Sequence, residues 1–194
     1  MTKQRCGWWV GDPLYEAYHD QEWGVPVYDD QTIFEFLILE TFQAGLSWIT
    51  ILRKRENFRE ALDDFDYKKI ACYSEAKLEA LLQNPGIIRN KLKVKATVSN
   101  AQAFIEIQEE FGSFSKYIWS FVNHKPVQNS VKIYKEAPAT TAISDALSKD
   151  LKKRGFKFTG STVVYAHMQA TGMVNDHEVD CFRYAEVKSL GVKP

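Results

Sequence analysis

The sequence predicts an all-α protein, and three observations lead to this prediction. No stretch alternates apolar and polar residues with a period of two for long enough to require a sheet. The most apolar stretch, residues 33–52, has the length of a long helix and contains no proline. Capping residues, prolines and glycines divide the rest of the chain into segments of helical length. We expect about eight helices.

Local signals give the start and end of each predicted helix in chain order. Asp12 caps a helix with Pro13 at its first position, and Asp29 or Asp30 caps the long apolar helix. The chain then breaks at Ala44-Gly45-Leu46, and Ser47 caps a helix that begins at Trp48. A further helix runs from Ser74 to the break at Asn84-Pro85-Gly86, and another covers about residues 88–110. The remaining predicted elements are helices from Ser113 to about Val122, from Ser144 to Arg154 and from Ser161 to Thr171, and a loop over residues 127–141.

Size and composition fit a globular protein of one domain, or of two small lobes that share a core. The chain has 194 residues with 25 basic and 25 acidic side chains, and this zero net charge is weak evidence against a nucleic-acid partner. No apolar run reaches the length of a membrane span, and residues 1–9 lack the apolar segment of a signal peptide. Cys6, Cys72 and Cys181 are odd in number and far apart, so we interpret them as reduced thiols of a cytoplasmic protein.

Glu40 lies inside the long apolar stretch, where a carboxylate is costly unless charge or hydrogen bonds compensate it. One interpretation is structural: the carboxylate caps a neighbouring helix or pairs with an arginine. The other makes it the polar anchor of an aromatic pocket, because the sequence offers no obvious basic residue one helical turn away. The nearby aromatic residues are core by default, but stacked rings with one carboxylate also suit a flat, cationic, nitrogen-rich ligand: Trp8, Trp9, Tyr18, Trp23 and Trp48.

Two cysteines and two histidines form a candidate zinc set: Cys6, His19, His177 and Cys181. His177 and Cys181 are four residues apart, so one helical turn would place them on one face. Cys6 and His19 need a fold-back of the chain. Buried thiols that act as small hydrophobic groups are the alternative. If a metal binds, it ties the two ends of the chain together.

Pro85 and Gly86 join two predicted helices, and this hairpin is a candidate phosphate site. Backbone N–H groups at the start of the second helix would attract a phosphate, and Arg89 and Lys91 would add charge. An ordinary helix–helix turn with solvated lysines is the alternative. Three other polar residues are assigned structural roles, because no orienting partner or catalytic base is evident for them: Ser47, His124 and His167.

Eight segments of the chain carry a resemblance to one known family. They are Arg5-Cys6-Gly7-Trp8, Asp12-Pro13-Leu14-Tyr15, Tyr18-His19-Asp20, Glu22-Trp23-Gly24-Val25-Pro26, Gln43-Ala44-Gly45-Leu46-Ser47-Trp48, Trp119-Ser120-Phe121-Val122-Asn123, Leu151-Lys152-Lys153-Arg154-Gly155-Phe156-Lys157-Phe158 and Val174-Asn175-Asp176-His177. Together they resemble the DNA-3-methyladenine glycosylase I (Tag) family of the helix-hairpin-helix glycosylase superfamily, from residue 5 to about 181.

The resemblance implies a fold and a reaction. The fold is a helix-hairpin-helix core over about residues 30–125, with a zinc-binding lobe formed by about residues 1–29 and 126–194 within a single unit of 1–194. The enzyme would flip 3-methyladenine out of double-stranded DNA and hydrolyse its N-glycosidic bond. It would release the free base and leave an abasic site.

The resemblance also implies a role for each site residue. Glu40 would accept hydrogen bonds from the base, and the walls of the base pocket would be Trp8, Tyr18, Trp23 and Trp48. Gly45 and Leu46 would fill the gap in the duplex, and the residues in contact with DNA would be Pro85, Gly86, Arg89 and Lys91. One structural zinc, remote from the chemistry, would be bound by Cys6, His19, His177 and Cys181. We expect a cytoplasmic monomer with no membrane partner.

The protein needs to supply little catalysis beyond a flipped geometry and a selective pocket, because a base that is cationic while attached to the sugar leaves as a neutral molecule. The superfamily commonly has an aspartate a little over twenty residues past the hairpin, and residues 104–110 contain none. Ile88 stands where the superfamily hairpin usually has its second glycine. No lysine is placed as a Schiff-base nucleophile, so we expect no strand cleavage.

Two other functions stay open on the sequence. A zinc-stabilised DNA-binding module without activity would need the hairpin and the metal but not Glu40 in an apolar run. A zinc hydrolase would need an open position on the metal, which four protein ligands close.

Overall fold

A computed structural model describes residues 3–9, 11–43 and 45–191, and within these residues the chain forms ten α-helices. They are α1 (Pro13–Gln21), α2 (Asp30–Gln43), α3 (Trp48–Ala61), α4 (Tyr67–Ile70), α5 (Glu75–Gln83), α6 (Lys91–Phe111), α7 (Phe114–Ser120), α8 (Ala142–Lys153), α9 (Ser161–Ala170) and α10 (Phe182–Leu190). Single 3₁₀ turns lie at Asp63–Phe65 and Tyr134–Glu136. The all-α prediction is confirmed.

The only paired strands among the described residues are two short ones, β1 (Val127–Gln128) and β2 (Val174–Asn175). They run parallel, with Val127 opposite Val174 and Gln128 opposite Asn175. No helix in the described part of the chain is both long enough and apolar enough to cross a membrane.

Helix α2 is the centre of the molecule. All of its residues from Ile33 to Phe42 are buried, and it packs against α3, α6, α7 and α9. This explains why the stretch is apolar on every side. Its Phe34 ring meets the Phe104 ring of α6 edge-on, with centroids 5.0 Å apart. The predicted division into a core and a zinc-binding lobe stays a prediction.

The helix starts follow the capping signals closely. Asp12 accepts the backbone N–H of Leu14 at 2.9 Å. Of the two candidates before α2, Asp29 is the cap, because its carboxylate accepts the N–H of Thr32 at 2.8 Å. Asp30 instead accepts the N–H groups of Phe114 and Ser115 at 2.9 and 2.8 Å, so it fastens the start of α7 to α2.

Several element predictions were wrong in detail. Helix α6 begins at Lys91 rather than near residue 88, because Asn90 caps it. Ser47 precedes α3 as predicted but makes no capping bond, and its hydroxyl is 2.8 Å from that of Thr50. The expected loop over 127–141 contains β1 and a 3₁₀ turn, and α4 and α10 were not predicted. Ala44, part of the predicted break, lies outside the described residues.

Candidate functional site

A cavity of about 250 Å³ lies beside the last turn of α2. Its walls come from α1, α2, α3, α9, the Tyr134–Glu136 turn and the segment before α1. The lining residues are Trp8, Tyr15, Tyr18, Trp23, Glu40, Gln43, Ser47, Trp48, Tyr134, Ala166 and Gln169. The structure therefore brings together all five residues that were predicted to hold a base, although their roles in binding stay predictions.

Aromatic rings make most of the cavity wall, and local structure sets their positions. Tyr18 lies on α1 with its ring centroid 5.6 Å from that of Trp48, the first residue of α3. Trp8 and Trp23 meet edge-on, with centroids 5.2 Å apart. Trp23 is held because the next residue, Gly24, donates its backbone N–H to the carbonyl oxygen of Gln169 at 3.1 Å.

Glu40 is the acidic side chain of this cavity. Its side chain is 3% exposed, and its Oε2 atom has no hydrogen-bond partner among the described residues. Burial raises its pKa from 4.5 to about 8. In the described part of the chain, Glu40 does not pair with an arginine, as the structural interpretation allowed. The carboxylate that does so is Glu35, whose Oε1 accepts Arg55 Nε at 2.6 Å and Arg59 Nη2 at 2.8 Å.

Two indole N–H groups of the cavity are also unpaired. The Nε1 atoms of Trp8 and Trp48 are buried without an acceptor in the described structure. Buried polar groups in proteins are nearly always hydrogen-bonded, so one free acceptor and two free donors at one cavity indicate a site for a polar ligand. Burial also raises the pKa of Tyr18, so its hydroxyl keeps its proton at neutral pH.

The sequence did not reveal six of the lining residues as parts of a pocket. Tyr15 is three residues before Tyr18 and Gln43 is three after Glu40, so helical periodicity could have found both. Ser47 was given a structural role but also lines the cavity. The other three are distant in sequence and carry no local signal: Tyr134, Ala166 and Gln169.

A groove of about 590 Å³ adjoins the cavity and shares four of its residues, Gln43, Tyr134, Ala166 and Gln169. Gly45 and Leu46 lie on its edge. Gly45 has a φ of 84°, which a residue with a Cβ rarely adopts. The next residue, Leu46, is 40% exposed, so an apolar side chain lies at the edge of the groove that adjoins the cavity. This position suits the predicted filling of a gap in a duplex.

The four predicted metal ligands meet in one buried group. Their ligand atoms all lie within 4.8 Å of one another. Cys6 Sγ is 3.4 Å from His177 Nδ1, and Cys181 Sγ is 3.5 Å from His19 Nε2. A side-chain hydrogen bond between the two sulfurs raises the pKa of Cys6 and lowers that of Cys181, so one of them ionises readily.

Each histidine of the group has its second ring nitrogen fixed by another residue. His19 Nδ1 is 2.8 Å from the Asp20 carboxylate, which Arg5 binds through Nε at 2.9 Å and Nη2 at 2.7 Å. His177 Nε2 is 2.9 Å from the carbonyl oxygen of Trp23. Metal-binding histidines commonly have such partners, which fix the tautomer and the ring orientation. The residues therefore fit a metal ion.

Two expectations about this group were wrong. His177 and Cys181 do not share a helical turn: they lie between β2 and α10, and Cys181 caps α10. The group is also not remote from the cavity. The ring centroids of Trp23 and His177 are 4.6 Å apart, so a single tryptophan separates the four-residue metal group from the cavity.

The predicted DNA hairpin connects α5 to α6 through residues 84–90. Gly86 donates its N–H to Asn84 Oδ1 at 2.8 Å, and a Cβ there would come within 3.1 Å of Asn57 Cβ. Lys54, which the sequence analysis did not select, donates to the carbonyl oxygens of Pro85 and Gly86 at 3.2 and 3.1 Å. These contacts hold the turn in one conformation.

The free amides expected at the start of α6 are partly occupied. Asn90 Oδ1 accepts the N–H groups of Leu92 and Lys93, both at 3.1 Å. Arg89 and Lys91 are exposed, as a contact to phosphate requires. A phosphate at this turn would therefore depend more on these two side chains than on the helix amides.

The two remaining histidines have no place in the site. His167 is buried in α9 with no hydrogen-bond partner among the described residues, and burial lowers its pKa to about 3, so it is neutral. His124 is exposed in the turn after α7. Neither lines the cavity.

Comparison with known proteins gives consistent matches over nearly the whole chain. The family model described as Methyladenine glycosylase matches residues 8–184. DNA-3-methyladenine glycosylase 1 of Escherichia coli K12 is 51% identical over 181 residues, which are 93% of this chain and 97% of that protein.

Two solved structures have the same fold. A crystal structure of 3-methyladenine DNA glycosylase I has a TM-score of 0.90 at 51% identity, covering 92% of this chain and 98% of that one. A structure of the Staphylococcus aureus enzyme, determined for 3-methyladenine recognition, has a TM-score of 0.89 at 37% identity and covers 98% and 97%.

Proposed function

This chain belongs to the methyladenine glycosylase family, and from that membership we propose how its own side chains carry out base excision. The protein is a DNA-3-methyladenine glycosylase of base-excision repair. It hydrolyses the N-glycosidic bond of 3-methyladenine in alkylated DNA, releases the free base and leaves an abasic site. The family, fold and activity predicted from the sequence are confirmed.

One observation carries the proposal: Glu40 places an unpaired carboxylate oxygen in an aromatic cavity. Methylation at N3 makes adenine cationic while it is bound to the sugar, and its amino group donates hydrogen bonds. Glu40 would accept from that group, and a cation beside it would favour the ionised carboxylate. Trp48 and Trp8 would hold the faces of the ring.

The reaction balances without a nucleophile from the protein. The bond between the base and C1′ breaks with its electron pair going to the base, so the cationic base leaves as neutral 3-methyladenine. Water adds its oxygen to C1′, and its proton is released. The protein's part is to hold the flipped geometry and to distinguish the lesion from neutral adenine.

We propose zinc as the metal of the buried Cys₂His₂ group, because thiolate and imidazole are the ligands that zinc prefers. Four protein donors close a tetrahedral site, which opposes the zinc-hydrolase alternative. Zinc would then act structurally, by joining Cys6 near one end of the chain to Cys181 near the other. The Asp20 and Trp23 contacts would keep both histidine rings in the ligating orientation.

We also propose that the DNA is double-stranded, with Leu46 filling the space of the flipped base and Pro85, Gly86, Arg89 and Lys91 contacting the backbone. We propose further that the protein acts as a monomer. The free cysteines support a cytoplasmic protein.

The experiment is chromatography of free base released from methylated duplex DNA, followed by electrophoresis of the DNA. We expect 3-methyladenine in the supernatant and intact strands until alkali or heat cleaves the abasic sites. A protein that bound the duplex but released no base would support the DNA-binding module. Nicked strands without alkali would refute the absence of strand cleavage.

A further inference from the structure

Glu178 lies between the metal group and the base cavity and is bonded to both, although the proposed function gives it no role. It directly follows the metal-group residue His177. Its backbone N–H donates to Cys6 Sγ at 3.3 Å, and its carbonyl oxygen accepts the N–H of Cys181 at 2.8 Å. Both backbone polar groups of Glu178 are therefore bonded to the two cysteines of the metal group.

The side chain of Glu178 is bonded to a different part of the molecule. Its Oε1 accepts the backbone N–H of Tyr134, the first residue of the Tyr134–Glu136 turn, at 2.7 Å. The residue before the turn, Ile133, makes no side-chain capping bond. Glu178 therefore caps this turn from a distant segment, in the way that a carboxylate caps the start of a helix.

Neighbouring contacts restrict where this carboxylate can lie. Val131 is opposite Glu178 in an isolated parallel bridge, and Val179 donates its N–H to the carbonyl oxygen of Val131 at 2.8 Å. A Cβ added at Gly7 would come within 3.3 Å of Glu178 Oε1, so the carboxylate packs closely against that glycine. The segments on both sides of Glu178 thus fix its position.

The turn that Glu178 caps forms part of the wall of the base cavity. Tyr134 lines the cavity, and its ring centroid is 6.1 Å from that of Trp8 and 5.8 Å from that of Trp23. A single 3₁₀ turn has weak hydrogen-bond geometry of its own. The position of the Tyr134 ring therefore depends on the bond from its backbone to Glu178.

We infer that Glu178 is a positioning residue that couples the metal group to the base cavity. When the four ligands hold a metal, Cys6 and Cys181 hold the backbone of Glu178, and its carboxylate holds Tyr134 at the cavity wall. The inference rests on the proposed function, because it needs a base in the cavity and a metal at the ligands. Glu178 does not line the cavity and acts only through Tyr134.

The first test is the affinity of the intact, zinc-loaded protein for free 3-methyladenine, measured by tryptophan fluorescence. Glu178→Ala should weaken binding about fivefold, the effect of losing one hydrogen bond. Glu178→Gln should restore most of the affinity, because its amide oxygen can still accept the N–H of Tyr134. The zinc content should not change in either variant, since the backbone bonds to Cys6 and Cys181 remain.

A double-variant cycle tests whether Glu178 acts through Tyr134. In a Tyr134→Ala protein, Glu178→Ala should cause no further loss of affinity, because the ring that Glu178 positions is already absent. The matched control is Glu136→Ala, which removes an exposed carboxylate from the same turn and should bind the base as the wild type does. If Glu178→Ala does not fold, Glu178→Met replaces it, since it keeps the length of the side chain and removes the acceptor.

The coupling itself is tested from the metal side, because two coupled sites affect each other's affinity by the same factor. Saturating 3-methyladenine should raise the chelator concentration that removes half of the zinc from the wild type at equilibrium. The rise should be smaller in Glu178→Ala than in the wild type, and Glu178→Gln should resemble the wild type.

Several outcomes would overturn the inference. They are wild-type base affinity in Glu178→Ala, no rescue by Glu178→Gln, additive losses in the double variant, or an equal effect of the base on zinc retention in Glu178→Ala and the wild type. A loss of affinity in Glu178→Ala that came with a loss of zinc would make Glu178 part of the metal loop only. A wild-type protein that bound no 3-methyladenine would instead overturn the proposed function itself.

Discussion

Glu35 and Glu40 are buried carboxylates of the same helix, five residues apart, and only Glu35 has an arginine partner. Arg55 and Arg59 of α3 neutralise Glu35, whereas Glu40 faces the base cavity with an unpaired oxygen. A structural carboxylate and a candidate binding carboxylate therefore occur side by side. This pair provides a matched control for every experiment on Glu40.

The unpaired state of Glu40 predicts a dependence of stability on pH. Burial raises its pKa from 4.5 to about 8, so between these values the folded protein holds a proton that the unfolded chain has lost. The contribution of Glu40 to the free energy of unfolding must then fall as pH rises from about 4.5 to 8. Glu40→Gln should remove this dependence and be more stable than the wild type at pH 8.

Denaturant unfolding of both proteins from pH 5 to 8 measures this difference. Other groups, such as the neutral His167, contribute equally to both and cancel. Glu35→Gln should keep the wild-type dependence but lose roughly 3 kcal/mol at all pH values, because it breaks a buried ion pair. A Glu40→Gln protein that kept the wild-type pH dependence would contradict the buried, unpaired assignment.

The metal group predicts one tightly held zinc ion per chain that stabilises the fold. Cys6→Ser should lower both the zinc content and the melting temperature, because it removes one of four donor atoms that lie within 4.8 Å of one another. Cys72→Ser, at an exposed free cysteine, should change neither. Metal analysis that found no stoichiometric zinc in protein purified without chelator would refute the prediction.

The hairpin predicts contact with the DNA backbone that is independent of the lesion. Lys91→Glu should weaken binding to damaged and undamaged duplex alike. It should also reduce the slope of the logarithm of the binding constant against the logarithm of the salt concentration by about one. Lys188→Glu, an equal charge change on α10, should have little effect. If Lys91→Glu altered only the discrimination between damaged and undamaged DNA, the hairpin would not be a phosphate contact.

The exposed position of Leu46 predicts that its side chain matters for excision from duplex DNA but not for binding of the free base. Leu46→Ala should slow excision from duplex DNA about tenfold, because a smaller side chain fills less of the gap left by the flipped base. Its affinity for free 3-methyladenine should not change. Leu190→Ala, at another exposed leucine, is the control for both measurements. An equal loss of free-base affinity in Leu46→Ala would make Leu46 part of the cavity wall instead.

Local sequence signals predicted the elements well where capping residues determine them, as at Asp12 and Ser113. They failed where tertiary contacts decide. Asp30 looked like a helix cap but binds the start of α7, and α10 begins at a metal-group cysteine rather than at a conventional cap. The start of α6 was misplaced because Asn90 was not recognised as its cap.

The residues of the candidate site also fall into two groups, those that the sequence reveals and those that only the fold brings together. Glu40 stood out because a carboxylate in an apolar run conflicts with burial, and that conflict is visible in the sequence. Tyr134 and Gln169 did not, since an isolated tyrosine in a loop and a glutamine in a helix are ordinary in themselves. Only the packing of α9 on α2 brings Gln169 to the cavity.

The most direct test of the central claim is the single-turnover rate of 3-methyladenine release from methylated duplex DNA by Glu40→Gln, Glu40→Ala and Glu35→Gln, each measured with its melting temperature. A charge-assisted hydrogen bond contributes about 1.5–3 kcal/mol, so loss of the Glu40 charge should slow release by roughly ten- to a hundredfold or more, with Ala the slower variant. Neither Glu40 variant should melt at a lower temperature than the wild type, whereas Glu35→Gln should lose stability but not activity at low temperature. Full activity in Glu40→Ala would contradict the account, and lost activity with a collapsed melting temperature would make Glu40 structural.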